Sequence, residues 1–182
     1  GNSLDNQISG NEANNTLEGG DGTDLLTGGA GDDVYLVDEF DLAVVENEDE
    51  GTDLVISDAD HILAENVENL VLTTGDLALS GTGNSLGNEI TGNSLDNTLS
   101  GMEGDDILLG DEGADSLLGG EGSDSLVGGS GADTLVVDDS DLGVDGGDDS
   151  DWAVSTTDID LADGRFTAVE NIILADIYAE DP

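Results

Sequence analysis

The chain has 182 residues, no cysteine, and 45 acidic residues against a single basic one, Arg165, for a formal charge of −44. That balance excludes nucleic acid as a partner, because such binding depends on Lys and Arg neutralising phosphates, and the lack of cysteine excludes disulfides and thiolate zinc sites. No apolar run approaches a membrane span and no signal peptide opens the chain, so direct membrane insertion is not expected.

Residues 1–38 form a first block of nonapeptides, with units starting at Gly1, Gly10, Gly19 and Gly28. The best copies there read GGDGTDLLT and GGAGDDVYL. Glycines at places one, two and four let the backbone take positive φ and turn tightly. Six residues make the turn and three the strand, whose eighth-place residue points inward while its neighbours point out. The inward column is Ile8, Leu17, Leu26 and Tyr35, resumed in the second block by Ile90, Leu99, Leu108, Leu117, Leu126 and Leu135. Two units close one coil, so like turns stack two units apart, about 4.8 Å along the axis.

Residues 39–82 are an irregular β connecting stretch, with short β-type runs at 54–57, 70–73 and 77–80 and room for a short helix over 62–69. The second block, 83–138, has units at Gly83, Gly92, Gly101, Gly110, Gly119 and Gly128. Residues 139–182 are the expected cap, needed to hide unpaired strand edges. VENLVL in the connecting stretch returns as VENIIL in the last one, so the chain reads as two tandem modules, 1–82 and 83–182. Their repeat runs differ by 18 residues, one whole coil, which leaves the exit direction unchanged.

The turn chemistry points to a hard cation. Turn carbonyls converge and a sixth-place Asp adds a carboxylate, a donor set suited to calcium with its six to eight oxygen ligands. The candidate carboxylates are Asp24, Asp33, Asp106, Asp115, Asp124 and Asp133. Candidate carbonyls belong to Gly19, Gly20, Asp21, Gly22, Gly28, Gly29 and Gly31 in the first block. In the second they belong to Gly101, Glu103, Gly104, Gly110, Glu112, Gly113, Gly119, Gly120, Glu121, Gly122, Gly128, Gly129, Ser130 and Gly131. Asp106 should share an ion with Asp124 and Asp115 with Asp133, whereas Asp24 and Asp33 face Asn6 and Asn15. Units carrying Asn6, Asn15, Asn88 and Asn97 have lost that charge and are read as weak or non-binding turns. Three of them put Leu4, Leu86 and Leu95 at place four, where an apolar side chain is expected to tuck inward.

With these units GGxGxDxUx is matched in register, and the chain resembles the hemolysin-type calcium-binding repeats of RTX (repeats-in-toxin) proteins. The resemblance implies an all-β fold, a right-handed parallel β-roll or β-solenoid with several calcium ions between stacked turns. It also implies a secreted or cell-surface protein of a Gram-negative bacterium, exported by a type I machine and folding where calcium is met. The opening residue lies inside a repeat and is not Met, as expected of a piece of something larger whose neighbouring domains are its partners.

An acidity this large opposes compaction, and 3% aromatics offer little apolar surface to resist it. A salty habitat accounts for part of the acidity but not for Asp at fixed sixth places. Asp145, Asp148, Asp149 and Asp151 lie outside the repeats and are expected on a solvated face. Catalysis is not expected, since His61 is the only histidine and finds no nucleophile or orienting partner in the sequence. Two readings stay open: a calcium-binding structural module of a large adhesin or other type I-secreted protein, and the C-terminal region of an RTX enzyme or cytolysin. No external ligand can be named. Leu109, Leu118, Val127 and Val136 at ninth places should point outward.

Overall fold

The computed structural model describes residues 1–41, 43–157 and 164–174, with 74–78 described by backbone alone. In the first half the strands are β1 (Gln7–Ser9), β2 (Thr16–Glu18), β3 (Leu25–Thr27), β4 (Val34–Val37), β5 (Ala43–Val45), β6 (Leu54–Ile62) and β7 (Asn69–Thr82). They continue as β8 (Glu89–Thr91), β9 (Thr98–Glu103), β10 (Ile107–Glu112), β11 (Ser116–Glu121), β12 (Ser125–Ser130) and β13 (Thr134–Val137). The last are β14 (Gly143–Asp148), β15 (Trp152–Ser155), β16 (Phe166–Thr167) and β17 (Asn171–Ile173). No helix occurs among the described residues, so the segment 62–69 is strand end and turn rather than helix.

All recorded strand pairings are parallel and, inside the repeats, join residues 18 apart: Ile8 with Leu26, Leu17 with Tyr35, Leu108 with Leu126, Leu117 with Leu135. Consecutive strands therefore alternate between two faces of a β-solenoid of about nine coils. One face runs β2, β4, β6, β7, β8, β10, β12, β14, β16. The other begins with β1, β3 and β5 and resumes as β9, β11, β13, β15, β17. β7 bends between the faces, since Asn69–Val71 pair with β8 and Ser80–Thr82 with β9. Hydrogen bonding is thus continuous across residue 82.

The inward column fills the narrow space between the faces. Leu26, Tyr35, Ile90, Leu99, Leu108, Leu117, Leu126 and Leu135 have no exposed surface, Leu17 is buried, and Ile8 at the open end is half-buried. Of the four apolar ninth-place residues of the second block, Leu118 is exposed, while Leu109, Val127 and Val136 are half-buried. Strands β9 to β12 run six residues rather than three, because places one to three of their turns also pair with the next coil, as Gly120 does with Met102 and Glu121 with Glu103.

The glycines divide their labour differently from expectation. Positive φ falls at places two and four, as at Gly120 (117°) and Gly122 (141°), and not at place one. The place-one glycines serve close approach: a Cβ on Gly101 would run into Asp106 Oδ2 and lie 2.6 Å from the carbonyl oxygen of Gly119. Met102 and Asp111 hold the place-two conformation without being glycine, at φ of 88° and 81°. Leu4 does not tuck inward; it is 68% exposed, and Leu86 and Leu95 are half-buried. With place four already turned toward solvent, there is no inward space for a side chain.

Of the expected cap, β16 and β17 continue the two faces, and residues 158–163 and 175–182 lie outside the described residues. Arg165 donates to the carbonyl oxygens of Asp138 (3.3 Å) and Asp141 (3.1 Å), tying the last coil to the corner before it. If the inward column carries the packing, Leu117→Ala should cost about 2–5 kcal/mol. Leu118→Ala, on the outward neighbour, should cost about 0.5 kcal/mol or less. Denaturant unfolding of both variants at saturating calcium checks the contrast.

Candidate metal centre

Each coil presents its sixth-place residue at a corner, immediately before the strand begins, and the parallel register lays these residues over one another. The contact between them is a specific hydrogen bond. The backbone N–H of one sixth-place residue donates to Oδ1 of the Asp one coil further on: Asn6 to Asp24 and Asn15 to Asp33, each at 2.6 Å, and Asn88 to Asp106 and Asn97 to Asp115, each at 2.7 Å. Asp106 donates in the same way to Asp124 (2.9 Å) and Asp115 to Asp133 (2.8 Å). The two expected pairs are therefore neighbours in space, and Asp24 and Asp33 do face the asparagines.

One oxygen of each carboxylate is used up by this bond. The other is not. Oδ2 of Asp24, Asp33, Asp106, Asp115, Asp124 and Asp133 is buried with no hydrogen-bond partner, on side chains that are at most 2% exposed. In the second block Asp106 Oδ2 and the carbonyl oxygen of Gly119 meet at Gly101, and Asp115 Oδ2 and that of Gly128 meet at Gly110. The place-two carbonyls of Met102 and Asp111, outside the candidate set, lie against Gly120 and Gly129, and the place-four carbonyls of Gly104 and Gly113 against Gly122 and Gly131. The Glu121 and Ser130 carbonyls accept from the N–H of Gly104 and Gly113 at 2.8 Å, which leaves each oxygen a second lone pair.

The asparagine turns are closed on themselves. Their Oδ1 accepts from the place-two N–H of the same turn, Asn2 to Asn6 at 3.0 Å, Asn11 to Asn15 and Asn84 to Asn88 at 2.7 Å, and Asn93 to Asn97 at 2.6 Å. Asn88 also donates through Nδ2 to the Val67 and Glu68 carbonyls, both at 3.2 Å. An amide supplies its own donor and satisfies the corner; a carboxylate leaves an acceptor wanting a cation.

The ladder runs past the nonapeptides. Asp33 N–H donates to Asp53 Oδ1 (2.8 Å) and Asp53 N–H to Glu68 Oε2 (2.8 Å). On the later coils Asp124 donates to Asp141 (3.3 Å), Asp133 to Asp151 (2.9 Å), and Asp151 to Glu170 Oε2 (2.9 Å). Asp151 is therefore not on a solvated face: it has no exposed surface, and its Oδ2 is unpartnered. The shared VEN tripeptide explains the two ends. Glu68 and Glu170 close the ladder, and Asn69 and Asn171 donate through Nδ2 to the carbonyls of Asp53 and Asp151, at 3.0 and 3.2 Å.

Burial raises several acids of the later coils. Asp106 is pushed up to about 7 and Asp115 to about 6, chiefly by loss of solvation and then by the charges of Asp124 and Asp133. Asp141 is pushed up to about 6, and Asp124, Asp133 and Asp151 are raised, all mainly by desolvation. Half-buried His61 in β6 is lowered by the same cause. Oxygen donors of like charge with open lone pairs, and no nitrogen or sulfur among them, fit a hard divalent cation.

The comparisons with known proteins agree with this geometry. The family model for the RTX calcium-binding nonapeptide repeat matches four times, over residues 1–35, 82–117, 91–126 and 109–141, which together span just over half of the chain. No curated protein matches it. Parallel coils, the buried sixth-place acids and these matches have one conclusion: the chain belongs to the RTX calcium-binding nonapeptide repeat family, whose members bind calcium.

Proposed function

We propose that this is a secreted structural module that folds on binding calcium outside the cell, and that Asp24, Asp33, Asp106, Asp115, Asp124 and Asp133 are its repeat ligands. The observation that carries this reading is the row of buried, unpartnered Oδ2 atoms, since a stack of uncompensated carboxylates cannot hold itself together. We read it as part of a large adhesin or other type I-secreted protein, and the architecture supports that reading. A continuous stack, extendable one coil at a time, makes a stalk whose stiffness depends on the ions between its coils. The two tandem modules, 1–82 and 83–182, are then successive lengths of that stalk.

Calcium should act as the folding switch. Extracellular calcium modules bind with constants of about 10⁻⁴ to 10⁻³ M, and ligand at about 100 times its dissociation constant stabilises by about 2.7 kcal/mol per independent site. Circular dichroism and hydrodynamic radius should show an expanded chain in chelator and a steep transition to compact β structure during calcium titration. A compact β spectrum in chelator, unchanged by calcium, would refute the switch.

Asp124→Ala removes a carboxylate and the acceptor of the Asp106 N–H together. Calorimetry should show lost calcium stoichiometry or affinity for the site shared with Asp106, while the site of Asp115 and Asp133 persists. Asp145→Ala, on a half-buried residue outside the ladder, should change neither.

The raised acids give a pH dependence of definite sign. For the calcium-free fold, ionising a carboxylate whose value rises from 3.8 to about 7, as for Asp106, is a cost that is absent below 3.8 and full above about 7. Calcium-free compaction should therefore be favoured by acid and lost as pH rises through this window. Calcium affinity should move oppositely, weakening as pH falls from 7 to 5 and protons compete for Asp106 and Asp115. Calcium titrations across that range check both signs.

A further inference from the structure

Among the described residues, three metal-ligating side chains converge at one place: oxygens of Asp33, Glu46 and Asp53 lie within 4.8 Å of one another, and all three residues are buried. Only Asp33 belongs to a nonapeptide. Glu46 stands where the next coil would place its first glycine, 18 residues after Gly28, and Asp53 follows Asp33 by 20 residues instead of 18. Glu46 thus puts an acidic side chain at this corner, as Asp41 does at Gly19, whereas Gly101, Gly110 and Gly128 meet the carbonyl of a glycine in the next coil.

Tyr35 completes the difference. It is the one aromatic in the inward column, it has no exposed surface, and its hydroxyl donates to Glu46 Oε1. Asp33 Oδ2, the Tyr35 hydroxyl and Glu46 Oε1 all crowd the position that a Cβ on Gly28 would take. Asp33 Oδ2 and Glu46 Oε2 are buried without a hydrogen-bond partner, on side chains only 1% and 6% exposed. Two independent acceptors are thus aimed into one enclosed corner. The chain's only guanidinium, on Arg165, binds carbonyls at the other end of the stack.

We infer that at the Asp33 corner the repeat ligand is joined by Glu46 and Asp53 in a three-carboxylate cage for a calcium-class ion, a donor set the other repeat sites lack, with Tyr35 as the residue that positions Glu46. Oxygens at 2.3–2.6 Å from a calcium ion sit at most about 5 Å apart across it, which the observed separation meets. Three carboxylates against the two of a repeat pair favour tighter binding and a preference for higher charge, because ligand charge sets affinity in such sites. The cage would seal the junction where the first repeat block gives way to the connecting stretch. The inference rests on sixth-place acids holding cations but adds a donor set that the nonapeptide does not contain.

Terbium(III), an oxygen-seeking stand-in for calcium that luminesces when a nearby aromatic is excited, reads this site directly. The full chain has two tyrosines and one tryptophan, so Trp152→Phe with Tyr178→Phe leaves Tyr35 as the single sensitiser. In that background, terbium emission excited through tyrosine should saturate near one ion per chain and should be complete by the end of the folding transition followed by circular dichroism. Glu46→Gln, which keeps an acceptor for the Tyr35 hydroxyl, should raise the half-saturation concentration by about tenfold or more. Asp124→Ala should leave it in place. If the folding transition survives while tyrosine-sensitised emission is absent, or if Glu46→Gln leaves half-saturation unmoved, the cage is wrong and the folding switch stands. If no cation produces the transition at all, it is the proposed function that fails.

Discussion

The hydrogen bond from a corner N–H to the carboxylate one coil further on is the interaction on which this architecture depends. Within the repeats it accompanies the 18-residue register, orients the Asp side chain, and leaves one oxygen without a hydrogen-bond partner. A neutral side chain in that position can satisfy itself, as the asparagine turns do. An aspartate cannot. The same bond that aligns the coils therefore also creates the demand for a cation, and stacking and ion binding are two aspects of a single contact.

Place-one glycine survives in all ten units, including the four that have lost the acid. Crowding explains this better than conformation does. A Cβ on Gly83 or Gly92 would meet the amide oxygen of Asn88 or Asn97 and the carbonyl of Gly101 or Gly110. Ligand chemistry is thus dispensable to a coil in a way that close backbone approach is not. Met102 and Asp111 show that place two tolerates a strained side-chain residue, at a cost of order 1–3 kcal/mol each, on coils that follow an asparagine turn; one coil further on, a Cβ on Gly120 or Gly129 would meet the carbonyl of Met102 or Asp111.

The regular part of the molecule was legible because its period is rigid: strand positions, the inward column and the facing of Asp24 and Asp33 toward asparagines all follow from counting by nine. The continuation of the acidic ladder was not. Asp151 lies a full 18 residues from Asp133, but Asp53, Glu68, Asp141 and Glu170 continue the ladder at spacings of 20, 15, 17 and 19 residues from their partners, so no fixed period exposes them. Their one sequence signal was the repeated VEN, whose glutamate reaches with a longer side chain to the N–H that an aspartate would otherwise cap. Asp151 looked like surface acidity because four aspartates crowd one short stretch; its spacing of 18 from Asp133 is the signal that separates it from the rest.

Stacking acids along a narrow axis also makes the molecule a polyelectrolyte. About nine coils at about 4.8 Å each give an axis of roughly 43 Å, along which the described residues distribute 39 of the 45 acidic side chains. That is about one charge per ångström, denser than the one per 1.7 Å of double-stranded DNA. A rod so charged gathers a condensed atmosphere of mobile counterions whatever occupies its corners, and each bound calcium must displace part of that atmosphere. Its grip on calcium is consequently a property of the medium as much as of the ligands: dilute monovalent salt strengthens it and concentrated salt weakens it, with release of condensed ions supplying entropy for every ion taken up.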